Sequence, residues 1–166
     1  MKNSFVVVIV DMQDEFLIHI SDKEERNLIR NQIEIIEYCA KKDIPIITLE
    51  YHGFGETTNA LKRKLKKVSR VKIVVKFSDN GFVETELENY LRQWNAKTIL
   101  LTGIFANRCV RSTGQGALGK GFKIATANSL LCELRGDFKD MWWFNRVGLF
   151  GPDISSILSL LCEGAV

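Results

Sequence analysis

Strand-like and helix-like patterns alternate along the chain. Residues 4–10, "SFVVVIV", form a continuous apolar and largely β-branched run, which predicts a strand buried on both faces of a parallel sheet. Five later runs also predict strands, and the first two of these are expected to be buried as well: residues 44–49, 70–75, 97–103, 122–127 and 147–150.

Between the strands, apolar residues recur at helical spacing. The patterns predict helices at residues 24–42, 84–94, 137–146 and 153–161. Strands that alternate with helices indicate a parallel sheet covered on both faces. We therefore predict one α/β domain over residues 1–166, with a doubly wound, mainly parallel sheet of about six strands in a three-layer α/β/α arrangement.

Composition excludes several classes of protein. Apolar residues make up 46% and charged residues 26%, and the net charge of +3 is too small to indicate a nucleic-acid partner. The one dense basic run, residues 61–72, contains no aromatic side chains for stacking and is interpreted as a solvated helix face. No segment resembles a signal peptide or is long enough to span a bilayer, so we predict no membrane partner. The four cysteines form no C-x-x-C pair, which favours reduced thiols and a cytoplasmic protein.

Three chemically reactive side chains follow predicted strands. Asp11 comes directly after the first strand, Lys76 directly after the third, and Cys109 shortly after the fourth. Ligands of doubly wound sheets bind beyond the carboxyl ends of the strands. The three residues are therefore expected at one edge of the sheet.

The glycine-rich stretch after Cys109 allows two interpretations. Residues 114–119 read G-x-G-x-x-G, but they lie too far from the preceding strand for a dinucleotide loop, and Gly121 replaces the hydroxyl residue of a P-loop. The alternative is a helix with Asn107 as its N-cap and Gly121 just beyond its end. The interior glycines would then serve close packing against the sheet or a neighbouring helix.

This helix would carry Cys109 in its first turn. A thiol at a helix N-terminus commonly has a lowered pKa, and a nearby Lys76 would stabilise the thiolate. Asp11 could take and return protons, and backbone N–H groups around residues 105–109 could hold an oxyanion. Together these groups predict nucleophilic attack on a carbonyl through a thioester.

The segments "VVVIVDMQDEF", "VVKFSDNGF" and "ILLTGIFANRCVRSTGQGALGKGFKI" resemble, in order and spacing, the signature segments of the isochorismatase-like cysteine hydrolase superfamily. The resemblance implies a catalytic triad of Asp11, Lys76 and Cys109. It also implies a non-proline cis peptide near Ile104–Phe105 and an oxyanion hole formed by the amides of Phe105 and Cys109. Phe16, Phe82 and Phe105 are the expected substrate-pocket residues.

The chain departs from the nicotinamidases of this superfamily at their metal site. Those enzymes bind a metal through a D-x-H pair and further histidines, whereas the corresponding place reads Glu50-Tyr51-His52, and the other histidine is His19. We therefore predict neither a metal nor another cofactor. The roles of Glu50 and His52 stay open.

The first hypothesis is a metal-independent hydrolase that cleaves a C–N bond of a small amide or ureide. Two alternatives remain: a non-catalytic binding protein whose pocket is closed by Phe16, Phe77, Phe82 and Phe105, and a vinyl-ether hydrolase that need not use the cysteine. A small-molecule substrate is expected in each enzymatic case. The adjacent Trp142 and Trp143 cannot easily face one core, which predicts a homo-oligomer, as the resemblance also implies.

Overall fold

A computed structural model describes residues 5–163, and its centre is a six-stranded sheet in which all paired neighbours are parallel. The spatial order is β3-β2-β1-β4-β5-β6. The strands are β1 Phe5–Val10, β2 Ile46–Tyr51, β3 Val71–Lys76, β4 Thr98–Gly103, β5 Lys123–Ala127 and β6 Leu149–Gly151. The predicted parallel sheet of about six strands is confirmed; Ser4, the predicted first residue of β1, lies outside the described residues.

Helices cover both faces of this sheet. They are α1 Asp14–Leu17, α2 Asp22–Lys42, α3 Asn59–Leu65, α4 Leu87–Gln93, α5 Arg111–Gly119, α6 Met141–Val147 and α7 Ile154–Cys162. One core lies between the sheet and α2, α3 and α7, and the other between the sheet and α4, α5 and α6. Within residues 5–163, no helix is long and apolar enough to cross a membrane.

The centre of the sheet is the place where the strand order reverses. β1 pairs with β2 on one side and with β4 on the other, and Val10 is in register with Gly103 at the carboxyl ends. Such a reversal leaves a crevice beyond the strand ends, where doubly wound proteins bind their ligands. The chain leaves β1 at Asp11 and leaves β4 toward Cys109, so both residues lie at this crevice.

The prediction that the third strand is buried is wrong. β3 is an edge strand that pairs with β2, and Ile73 and Val75 are 59% and 46% exposed. Val74 and Lys76 point to the opposite face and are buried. Alternate residues of β3 therefore lie against the second core, while their neighbours on the other face are left partly uncovered.

The predicted roles of two glycines after Cys109, close packing and helix termination, are confirmed. A Cβ on Gly114 would approach Trp143 of α6 at 3.1 Å and Leu101 of β4 at 3.2 Å, so this glycine permits close packing of α5. Gly121 follows the end of α5 with φ of 83°, and its N–H donates to the Leu118 carbonyl. A left-handed residue at this place is a common helix terminator.

Candidate active site

Asp11 lies immediately beyond β1 and is 2% exposed. Its backbone adopts φ of 51°, a left-handed conformation that aspartate tolerates better than most residues. The Asp11 N–H donates to the Leu49 carbonyl, and the Asp11 carbonyl accepts the N–H of Gln13 at 2.8 Å. This turn holds the carboxylate at the crevice between β1 and its neighbours.

Lys76, the last residue of β3, is fully buried and forms an ion pair with Asp11. Its Nζ lies 3.0 Å from Asp11 Oδ2 and donates to the Ser78 carbonyl at 3.0 Å. The same ammonium lies over the Tyr51 ring, 4.1 Å from the centroid. An isolated buried charge is very unfavourable, so the carboxylate, the carbonyl and the aromatic face together make burial of this ammonium possible.

Cys109 lies on a π-helical turn, Ala106–Val110, that precedes α5. The chain reaches this turn through a cis peptide bond between Ile104 and Phe105, as expected. The Phe105 carbonyl accepts the N–H groups of Arg108 at 3.1 Å and Val110 at 3.3 Å, the residues on either side of Cys109.

The prediction of Asn107 as the N-cap is wrong, because Asn107 lies inside the turn and Phe105 occupies the cap position without a side-chain hydrogen bond. Instead, the Asn107 N–H donates to the carboxylate of Glu133 at 2.7 Å. Glu133 is 4% exposed, and its other oxygen accepts the Leu134 N–H. This buried carboxylate therefore satisfies a donor at the helix start, a role that the sequence pattern did not indicate.

Asp11 and Cys109 face a common cavity of about 250 Å³. Four aromatic side chains form much of its wall, and an arginine and a second aspartate complete the lining: Phe16, Tyr51, Phe54, Phe105, Arg108 and Asp79. The Phe16 ring stacks on Phe54 at 4.6 Å between centroids and meets Phe105 edge-on at 6.1 Å. The cavity therefore suits a small ligand with a flat or apolar body.

The protonation of the two reactive groups follows from burial. Burial raises the pKa of Cys109 above its ordinary value, and the nearby Asp11 carboxylate raises it further, although Lys76 acts in the opposite direction. Burial also raises the pKa of Asp11, because the loss of hydration outweighs the attraction of Lys76 and the interaction with the Cys109 thiol. The expected lowered pKa of Cys109 is therefore wrong: the resting group is a thiol beside a carboxylate.

The isochorismatase domain model matches residues 5–155 of the chain. The chain belongs to the isochorismatase family. A curated relative, isochorismatase family protein 2A of Dictyostelium discoideum, is 29% identical over 122 residues, which are 70% of this chain and 60% of that protein.

Solved structures with the same fold carry different activities. The Staphylococcus aureus nicotinamidase SaPncA superposes with a TM-score of 0.77 at 19% identity, covering 90% of this chain and 98% of that chain. The MAR1 ribonuclease of Caenorhabditis elegans superposes with a TM-score of 0.81 at 21% identity, covering 96% and 81% of the two chains. Membership of the isochorismatase family thus defines the fold of this chain, whereas its reaction depends on the site.

The aromatic residues predicted for the pocket of this isochorismatase-family protein do not all lie there. Phe16 and Phe105 line the cavity, whereas Phe82 is buried elsewhere and stacks on Phe122 at 6.1 Å. Phe77 is 65% exposed and stacks on His52. Four lining residues were missed: Tyr51, Phe54, Asp79 and Arg108.

Glu50 and His52 each contact a different residue of this family member and not one another. Glu50 is buried and accepts the N–H and hydroxyl of Thr57 at 2.7 and 2.8 Å, while the His52 ring lies 4.6 Å from the Phe77 ring. Across residues 5–163, no group of three or more His, Cys, Asp and Glu side chains is arranged to hold a metal ion. The donor set that a zinc site requires is therefore not assembled in this part of the chain.

Proposed function

We propose that this chain is a cysteine hydrolase that cleaves the C–N bond of a small amide or ureide through a thioester on Cys109, without a metal. The observation that supports the proposal most directly is that the Cys109 thiol and the Asp11 carboxylate line one aromatic cavity, while the buried Lys76 ammonium pairs with Asp11. A nucleophile beside a base that is itself oriented by a third group is the arrangement expected for covalent catalysis.

In the proposed first half-reaction, Asp11 takes the thiol proton while the sulfur attacks the substrate carbonyl carbon. The carbonyl oxygen becomes an oxyanion, which the amides of Phe105 and Cys109 would stabilise. Asp11 then gives its proton to the departing nitrogen, the C–N bond breaks, and an amine or ammonia leaves. The acyl group remains on Cys109 as a thioester.

In the second half-reaction, water attacks the thioester. Asp11 takes a proton from this water, the C–S bond breaks, and the proton returns to the sulfur, which releases the acid product and restores the thiol. Lys76 keeps the buried Asp11 carboxylate available as a base and stabilises negative charge beside it. The raised pKa of Cys109 fits this sequence, because the thiol loses its proton during attack rather than beforehand.

Turnover of small amides, ureides and vinyl ethers by the wild-type protein, Cys109→Ala and the matched control Cys162→Ser tests the proposal. Cys162 is exposed, so its replacement removes a thiol without touching the cavity. We expect amide or ureide hydrolysis by the wild type and the control, and a loss of at least about 10³-fold in Cys109→Ala. Vinyl-ether cleavage that survives in Cys109→Ala would instead support a vinyl-ether hydrolase. Saturable binding without turnover would support a non-catalytic binding protein.

A further inference from the structure

Asp79 lies beside the sulfur that the proposed reaction uses. Cys109 Sγ donates a hydrogen bond to Asp79 Oδ1 at 3.5 Å, and Asp79 lines the same cavity as Phe105 and Asp11. Asp11 and Asp79 are thus two different carboxylates near one thiol, and the ion pair with Lys76 is made by Asp11. The proton transfers described above need one carboxylate, which leaves Asp79 without a role in them.

The backbone around Asp79 is held by α5, the helix that follows the π turn of Cys109. The hydroxyl of Thr113, buried on α5, donates to the Asp79 carbonyl at 3.3 Å and accepts the N–H of Gly81 at 3.0 Å. On the other side of Asp79, the Ser78 carbonyl accepts the Lys76 ammonium. The loop is therefore anchored before and after Asp79, and its carboxylate stays within reach of atoms bonded to the sulfur.

The chemistry of a carboxylate restricts what this position can accept. An ionised carboxylate accepts hydrogen bonds and donates none. With a carbonyl carbon seated for attack by Cys109 Sγ, the hetero atom on that carbon would lie close to Asp79 before the sulfur bonds to it as well as afterwards. An amide or ureide nitrogen brings an N–H to the carboxylate, whereas an ester oxygen brings a lone pair that the carboxylate repels.

We infer that Asp79 determines specificity: its carboxylate accepts an N–H of the scissile amide or ureide and so selects these substrates over esters. This inference deepens the proposed function and rests on the attack of Cys109 on a carbonyl. It assigns a substrate contact to a residue that the sequence did not single out.

Binding to a protein that cannot react separates the inference from the proposed chemistry. The probes are benzamide and methyl benzoate, which share an acyl group suited to the aromatic walls and differ at the hetero atom. Their dissociation constants are measured in Cys109→Ala, in Cys109→Ala with Asp79→Ala, and in Cys109→Ala with Glu34→Ala as the matched control. Glu34 is an exposed carboxylate on α2, outside the cavity.

We expect Cys109→Ala to bind benzamide roughly 10-fold or more tightly than methyl benzoate, because a hydrogen bond to a charged group strengthens binding by about that factor. The preference should disappear with Asp79→Ala and persist with Glu34→Ala. Equal binding of the two probes, binding of neither, or a preference that survives Asp79→Ala would overturn the inference. Failure of the proposed function appears separately, as absence of turnover by the wild-type protein in the Cys109 experiment.

Discussion

At the scale of single residues, Asp11 forms an ion pair with the Lys76 ammonium and lines the same cavity as the Cys109 thiol, and these neighbours affect the pH dependence of the site. Asp11 must be ionised to accept the thiol proton. Its pKa lies above the ordinary value of 3.8 because burial outweighs the attraction of Lys76. We expect kcat/KM to fall as pH drops through this raised pKa, so the acid limb of the pH–rate profile should have its midpoint above pH 3.8.

Two variants check this assignment through the same profile. Lys76→Met removes the attraction that lowers the pKa of Asp11, so the acid limb should move to higher pH. Asp11→Asn should keep the pocket shape and lose roughly 10²–10⁴-fold in kcat/KM, because it removes the proton acceptor. An acid limb that stays at the same pH in Lys76→Met would show that Asp11 is not the titrating base.

Residue spacing predicted that Asp11, Lys76 and Cys109 lie at one edge of the sheet because each comes at or beyond the carboxyl end of a parallel strand. It could not predict the direction of the pKa shift at Cys109. A helix start favours the thiolate, but burial and the carboxylates of Asp11 and Asp79 oppose it and outweigh Lys76. Those opposing groups come from other loops, so no local pattern around the cysteine contains them.

At the scale of elements, the end of β4 depends on a glycine that packs against β1. Gly103 has φ of 126°, and a Cβ at this position would overlap the Val10 carbonyl oxygen. Gly119, at the exposed end of α5, has no heavy atom within 4 Å of such a Cβ. The two positions therefore form a matched pair for alanine substitution.

We expect Gly103→Ala to lower the free energy of unfolding by about 3 kcal/mol, through backbone strain and overlap with β1. Gly119→Ala should raise it by about 0.5–1 kcal/mol, because alanine is the better helix former and no neighbour must move. Urea unfolding followed by circular dichroism measures both changes. A Gly103→Ala protein as stable as the wild type would contradict the close contact between β1 and β4.

Element-level predictions failed where the deciding partner is distant in sequence. Asn107 near Cys109 has the side chain of a plausible helix N-cap, yet it does not cap the helix. Its own N–H instead donates to Glu133, 26 residues later. The apolar run of β3 resembles that of β1, but the order of strands places β3 at the edge and leaves Ile73 exposed. Neither outcome is encoded in the local pattern of apolar and polar residues.

At the scale of the whole molecule, the two adjacent tryptophans separate as the sequence predicted. Trp143 is 8% exposed and packs in the core, whereas Trp142 is 64% exposed and has the Arg146 guanidinium 5.1 Å from its ring centroid. Self-association through Trp142 stays a prediction. We expect light scattering to give at least twice the 18.9 kDa mass of one chain.

The matched variants for this prediction are Trp142→Ala and Ile18→Ala, since Ile18 is a comparably exposed apolar residue at 71%. Trp142→Ala should shift the protein toward the monomer, whereas Ile18→Ala should leave the mass unchanged. A wild-type mass of a single chain at working concentration would rule the oligomer out.

The alternation of strands and helices predicted the whole-molecule fold well, because a six-stranded parallel sheet follows from buried runs separated by amphipathic helices. The contents of the cavity were less predictable. Phe82 lies within the recognisable segment around Lys76 but packs against Phe122. Tyr51 ends β2 and Phe54 lies in the loop that follows, where the Gln13 side chain hydrogen-bonds the Tyr51 backbone and the Gly55 carbonyl. Pocket residues on loops are set by such tertiary contacts rather than by motif membership.

Asp11 and Lys76 act on the Cys109 sulfur in opposite directions, and the pH profile of Cys109 alkylation by iodoacetamide tests this without a substrate. Mass spectrometry reads Cys109 separately from the other three cysteines in the wild type, Asp11→Asn and Lys76→Met. Asp11 raises the pKa of Cys109 and Lys76 lowers it, so the profile should move to lower pH in Asp11→Asn and to higher pH in Lys76→Met. Shifts in the same direction, or no shift in either variant, would contradict the account and leave Cys109 as a buried thiol at a helix start.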